Sequence, residues 1–250
     1  MLKVLVKKEM AELFRSYFYD AKKNKARSKG ATAAYFVLFA LLMAGILGGM
    51  FAVLAKTLCA PLHAAGVDWL YFAMMGLIAV LLGAFGSVFN TYSMLYLPKD
   101  NNLLLSLPIP VPVLMVSRLV TVYLMGLLYS GVVMLPAILV YWTQAAFTLP
   151  NLLGGLLLTA LISVFVMTVS CALGFVVAKI SLKLKRKSLI TVIVSLAFFA
   201  VYYFAVFKAQ TLISQLLSNA LAFGEAVKDA AYPIYLLGQV GVGDPIPCLV

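Results

Sequence analysis

YLPKDNNLLLSLPIPVPVLMVSR, residues 96–118, separates two long apolar runs and is too polar and too rich in proline to continue either. It carries the charged pair Lys99 and Asp100, the leucine run Leu103-Leu104-Leu105, and the prolines Pro98, Pro108, Pro110 and Pro112. Asp100 or Asn101 can cap a short helix by accepting a hydrogen bond from a free backbone N–H of its first turn. Pro108 ends that helix, because a proline pushes the residue before it out of helical geometry. The spacing predicts a stub of roughly two turns. Its leucines must be buried against something.

Outward from this stretch the chain is dominated by apolar runs. Of its 250 residues 64% are hydrophobic and only 11% are charged, whereas a soluble domain carries about a quarter charged residues. Mean hydropathy is +1.07. Crossing a ~30 Å hydrocarbon layer takes about 20 apolar residues in a helix, and five runs are long enough: 32–55, 69–95, 113–141, 152–179 and 188–207. The expected class is an all-α, polytopic helical membrane protein. Small residues four apart, Gly45 with Gly49 and Ala44 with Gly48 in the first run and Ala79, Gly83 and Ser87 in the second, predict faces thin enough for close helix contact. Asn90, Thr91, Ser130, Thr159, Ser163, Thr168, Ser170, Thr191 and Ser195, the polar residues within the runs, read mostly as interhelical hydrogen-bond partners, with the lining of a substrate path as the alternative for some.

The net charge of +11 is placed as membrane charge is, beside the spans, which argues against nucleic acid. Sixteen of the 19 basic residues fall in the N-terminal segment, the central break or the 179–187 patch; Lys56, Lys208 and Lys228 lie on the other side. Positive loops stay cytoplasmic, so the N-terminus and the central stub are expected there. Residues 1–30 form a first unit. Leu2, Val6, Met10, Leu13 and Tyr17 recur at helical spacing opposite Lys3, Lys7, Lys8, Glu12 and Arg15, the pattern of an interfacial helix with its basic face toward anionic headgroups. A polar basic linker follows. This start lacks the apolar core of a cleavable leader, and the first span is expected to serve as the insertion signal.

Residues 31–250 form the transmembrane unit, and its tail is less regular. An amphipathic stretch, 208–240, is expected on the outer surface or dipping back into it. Pro245 and Pro247 before Cys-Leu-Val read as the opening of a sixth span, with the chain continuing beyond it. Cys59, Cys171 and Cys248 have no metal-binding spacing; Cys171 reads as a packing residue, while Cys59 and Cys248 are placed on one side. His63, the single histidine, is expected in an outer loop beside Pro61. That placement argues against a Ser-His pair within the membrane or a histidine-held metal. No run holds paired carboxylates, and no GxxxxGK[ST] phosphate loop is present. The chain therefore offers no catalytic residues and no cofactor site of its own.

PKDNNLLLSLPIPVPVLMVSRLV resembles the coupling segment in membrane subunits of type-two ABC exporters, through Asp100, Leu103, Leu104, Ser106, Leu107, Pro108 and Ile109, with Arg118 in the place of a basic residue. The resemblance implies that the stub is a coupling helix docking on a separate ATP-binding cassette subunit, which would hold the ATP and magnesium. Lys99, Asp100 and Asn101 would make polar contacts there, and Leu103, Leu104 and Leu107 would fill the partner's groove, with Pro108 closing the helix. It also implies that the N-terminal helix is an elbow helix, and that a second membrane domain, from a homodimer or a fused half, completes the permease. A different reading of the same residues is a non-transporting scaffold or immunity-type membrane protein that binds a partner.

Overall fold

The computed structural model describes residues 2–14, 19–20, 25–26, 28–97, 104, 106, 108–145, 147–183 and 219–243, with 196, 200, 203, 204 and 208 as isolated positions. An N-terminal helix α1 (Leu2–Leu13) is followed by a two-residue antiparallel pairing of β1 (Tyr19–Asp20) with β2 (Lys25–Ala26). Then come four helices long and apolar enough to span a membrane: α2 (Gly30–Ala64), α3 (Asp68–Tyr96), α4 (Val111–Gln144) and α5 (Leu149–Lys183). Two short helices close the described chain, α6 (Ala220–Ala230) and α7 (Tyr232–Val242). This is a helical membrane protein. All but four isolated positions of the expected fifth span, 188–207, most of the 208–219 stretch and the opening of a sixth lie outside the described residues.

Each spanning helix exceeds its expected bounds. α2 differs most, continuing nine residues past Ala55 through Lys56 and Pro61. Pro61 has no N–H to give the Thr57 carbonyl, a defect worth about 3 kcal/mol in a helix. The extension buries Leu58, Cys59 and Leu62 almost completely, and about 1.5–3 kcal/mol for each leucine outweighs the missing bond. Cys59 and His63 are therefore helical, not in an outer loop, and Cys59 is a free thiol inside the core. The helix ends in a Schellman turn: Val67 N–H donates to Leu62 O (3.0 Å) and Gly66 N–H to His63 O (3.0 Å), with Gly66 at φ 71° in the left-handed region that glycine tolerates. That turn folds α3 back beside α2.

The core lies in the half of the bundle away from α1. Phe51, Leu58 and Leu62 of α2 meet Tyr71, Phe72 and Met75 of α3, Val133, Met134 and Ile138 of α4, and Leu158, Ile162 and Val166 of α5. Val166 fixes the geometry, since it is fully buried between two glycines. A Cβ on Gly83 of α3 would lie 2.8 Å from its Cγ2, and one on Gly126 of α4 would lie 3.0 Å from its Cγ1. The small-residue row Ala79, Gly83 and Ser87 thus makes the close contact its spacing predicts. The row in α2 does not. Gly49 has no heavy atom within 4 Å of a built Cβ, Gly45 meets only Leu41 of its own helix, and Gly48 alone is buried, against Pro136. Only 11% of the apolar window of α2 is buried, against 50% for α3 and α4, so most of α2 faces outward.

The interhelical hydroxyl bonds expected from the sequence form on α5. Ser170 meets Ser87 of α3 at 2.6 Å, and Ser163 meets Ser130 of α4 at 3.0 Å. Thr91, Thr159 and Thr168 instead donate to carbonyls one turn back in their own helices. At the far end α7 wedges between α3 and α5. Gly238 lies under the Trp69 backbone, Gly241 under Phe72 and Leu158, and Gly154 of α5 under the Val240 carbonyl, approaches that no Cβ would allow. Gly243, at φ 96°, ends α7 against the backbone of Pro150.

Candidate functional site

The central break begins and ends on anchored helices. On its entry side α3 finishes in a π-helical turn, Tyr92–Tyr96, a form with wider hydrogen-bond spacing than the α-helix. The Tyr92 hydroxyl donates to Ser181 Oγ (2.9 Å) and the Tyr96 hydroxyl to the Cys171 carbonyl (3.0 Å). A built Cβ on Gly174 would sit 3.1 Å from the Tyr96 ring, so glycine lets that ring lie against α5. The end of α3 is thereby pinned to α5.

On the exit side Pro110 and Pro112 set the start of α4. Pro110 is the N-cap residue, its carbonyl accepting from Val113 N (3.0 Å) and Leu114 N (3.3 Å), and the fixed φ of Pro112 suits a first turn that has no N–H bond to lose. Leu114, Ser117, Arg118 and Thr121 then fall on one face at helical spacing, all buried. α1 lies on that face. Leu5 and Leu104 are buried together with Leu114, and Ile109 and Val113 pack around them. One turn along, the Glu9 carboxylate accepts from Ser117 Oγ (3.1 Å) and Thr121 Oγ1 (3.0 Å), and Arg118 Nε lies 3.8 Å from Glu9 Oε1. Glu9 is 4% exposed and Arg118 5%.

Burial raises the Glu9 carboxyl above its ordinary value, against the opposing pull of the Thr121 and Ser117 hydroxyls, the Arg118 guanidinium and Lys8. Both hydroxyls also have carbonyl acceptors in their own helix, Ser117 with Leu114 O (2.8 Å) and Thr121 with Ser117 O (2.9 Å). Each has one proton to share between the two. A protonated Glu9 would therefore leave neither hydroxyl unsatisfied.

This arrangement corrects the expected orientation of α1. Its buried residues are Leu5 and Glu9; Leu2 is exposed, and Val6, Met10 and Leu13 are half-buried. The helix seats a carboxylate on the protein in place of a purely apolar stripe on lipid. Lys3 and Lys7 are exposed, as a basic surface requires, and Lys8 is half-buried in an ion pair with Glu12 (3.1 Å). Arg15 lies outside the described residues. Of the stub residues singled out by the resemblance, Lys99, Asp100, Asn101, Leu103 and Leu107 lie outside them too. Pro108 is exposed. Leu104, in place of the outward role the resemblance implies, is 6% exposed, buried against Leu5 and Leu114.

Glu9 was legible in one respect: it is the acid on the Leu5–Leu13 side of α1. Its partners are not legible, because Ser117 and Thr121 are 108 and 112 residues away.

A second polar group stands at the opposite end of the bundle, where the Schellman turn places His63 beside Asp68. His63 Nδ1 lies 2.8 Å from Asp68 Oδ1, and the Tyr141 hydroxyl donates to Asp68 Oδ2 (3.1 Å). The Tyr71 hydroxyl donates to the Ala137 carbonyl (2.8 Å). These bonds tie the α2–α3 hairpin to the end of α4. Among the described residues no three His, Cys, Asp or Glu side chains are placed to hold a metal ion.

No protein-family model, curated protein or solved structure matches this chain.

Proposed function

We propose that the chain is the membrane subunit of an ATP-driven exporter, in which the 98–110 segment receives the movement of a separate ATP-binding cassette subunit. The observation that carries this reading is the seating of α1 on Leu104 and on the start of α4 through Leu5 and Glu9. A push on the segment would then be carried by α1 and α4 as one body, while its entry side stays pinned to α5 through Tyr92 and Tyr96. Motif resemblance and the asymmetric basic charge support a cytoplasmic location for this end, with the N-terminus on the cytoplasmic side of the cell membrane and Lys3 and Lys7 on anionic lipid. A second membrane domain would complete the transport path. The movement requires two global states that the ATPase distinguishes by its contacts.

The test is affinity purification of the natural protein in mild detergent, with mass spectrometry of what accompanies it. It is run beside Asp100→Lys/Leu107→Glu, which spares the buried Leu104. Wild type that brings down an ATPase lost from the variant supports the coupling assignment. An ATPase retained by the variant overturns the role of the segment. No ATPase with wild type, in several detergents, removes the exporter reading in favour of a partner-binding scaffold.

A further inference from the structure

A cavity of about 190 Å³ lies between α2, α3 and α4. Met43 and Leu47 of α2, Leu82 and Phe85 of α3, and Tyr129 and Val132 of α4 line it. None is charged. Leu42, Ile46 and Leu81, the chain neighbours of lining residues on α2 and α3, are exposed apolar side chains.

Three local features create this space. α2 passes through a π-helical segment, Leu42–Leu47, where the extra residue per turn shifts the following helix out of line with the preceding one. α4 contains Pro136, which has no N–H for the carbonyl of Val132 one turn back, so the helix is loosened beside the cavity. α3 presents Gly86, where a Cβ would come within 2.9 Å of the Tyr129 ring. Any larger residue there would push that ring into the opening.

Depth identifies the occupant. Leu82 is equally far from Asp68 and Tyr96, which puts the cavity roughly 20 Å from either end of α3 at 1.5 Å per residue. Met43 and Leu47 on α2 and Tyr129 and Val132 on α4 are likewise near the middle of their helices. Halfway along spans of this length is the centre of a bilayer, where the surrounding medium is hydrocarbon chain. Tyr129 is the one lining side chain with a polar atom, fewer than the two to four polar partners a buried water needs, and an apolar cavity of ~150 Å³ stays dry and accepts an apolar molecule of benzene size. We propose that this cavity is a discrete site for the acyl chain of a bilayer lipid, entering between α2 and α3 and held at mid-membrane. The site is independent of the exporter reading.

The full chain in phosphatidylcholine vesicles tests it, doped with a phosphatidylcholine whose acyl chain carries a diazirine at mid-length. After irradiation the adducts are mapped by peptide mass spectrometry. A discrete site gives adducts on Leu82 and Phe85 that saturate at low probe fraction, while those on the lipid-facing Leu135 and Leu139 rise in proportion to the probe. Val132→Phe and Met43→Phe each narrow the cavity and should cut labelling at Leu82 severalfold without changing Leu139. Either variant suffices if it melts as wild type does. Labelling at Leu82 and Phe85 no stronger than at the buried Met75 and Met134 overturns the proposal. So does labelling there that rises linearly with the probe, or that survives in both narrowed variants.

Discussion

Replacing Glu9 by leucine removes the carboxylate that two hydroxyls and a guanidinium share at the α1–α4 contact. The hydroxyls lie 3.1 and 3.0 Å from it and Arg118 Nε lies 3.8 Å away, all in a setting only a few per cent exposed. Hydrogen bonds to a charged group contribute about 1.5–3 kcal/mol each, and removing one member of a buried ion pair costs about 3–5 kcal/mol. These overlap, because the same carboxylate serves both. A cost of about 3–5 kcal/mol for the variant is the consistent figure, a fall of roughly a hundred- to several-thousand-fold in the docked fraction of α1. The loss should be local, since α1 touches α4 and the stub but none of the central core. Amide hydrogen exchange through Leu5–Leu13 should accelerate by about that factor, while Leu70–Ala79 and Val133–Tyr141 keep their protection. In the double variant Glu9→Leu/Arg118→Leu no buried charge faces an apolar residue, and much of the protection should return. Exchange that accelerates less than about tenfold, or a double variant as labile as the two singles added together, would falsify the coupling.

The same carboxyl gives a pH dependence of definite sign. Its native pKa lies above the ordinary 4.5, so in the window above that value the native protein binds more protons than the unfolded chain. The proton-linked part of Glu9's contribution to stability is full below about pH 4.5 and is lost as pH rises through the native pKa. Melting of wild type minus that of Glu9→Gln, followed from about pH 7 to about pH 5, should therefore show wild type gaining on acidification; a gain on the alkaline side contradicts the assignment. In the core, Gly83→Ala sets a methyl 2.8 Å from Val166, whose branched side chain has one favoured rotamer in a helix. Overpacking of about 1–3 kcal/mol is expected, restored in part by Val166→Ala, and thermal melting of the two variants in detergent measures both. Gly238→Ala places a methyl against the Trp69 carbonyl, and backbone cannot swing aside. α7 should leave its seat between α3 and α5, seen as new protease cleavage near Ala231 and a shift in Trp69 emission, with no change if the contact is slack.

Hydropathy and composition determined a great deal here because they are local. Each apolar run carries its own reason to leave water, and α3, α4 and α5 fall within four residues of the bounds read from their hydropathy. Spacing at 3.6 residues per turn likewise placed a helix at the N-terminus and a thin face on Ala79, Gly83 and Ser87. Elements whose fate depends on distant partners were less legible. Two glycine rows look alike in the sequence, yet Gly83 meets Val166 and Gly49 meets nothing, because contact needs a second helix at that depth. Pro61 reads as part of an outer loop beside His63, and only the burial of Leu58 and Leu62 against α3 and α4 shows why α2 runs through it.

The sequence by itself thus determined the solvent in which this protein lives, the helices that cross it and the proline-rich break between α3 and α4. Periodicity and transfer free energy act within a few turns of chain and need no knowledge of what lies beside them. Only the tertiary structure decided which face of α1 is inward. Glu9 finds its donors more than a hundred residues away, and a buried carboxylate is tolerated where Ser117, Thr121 and Arg118 converge on it. The mid-membrane cavity belongs to the same kind. A π-turn, a proline and a glycine on three separate helices make a space only when those helices stand side by side.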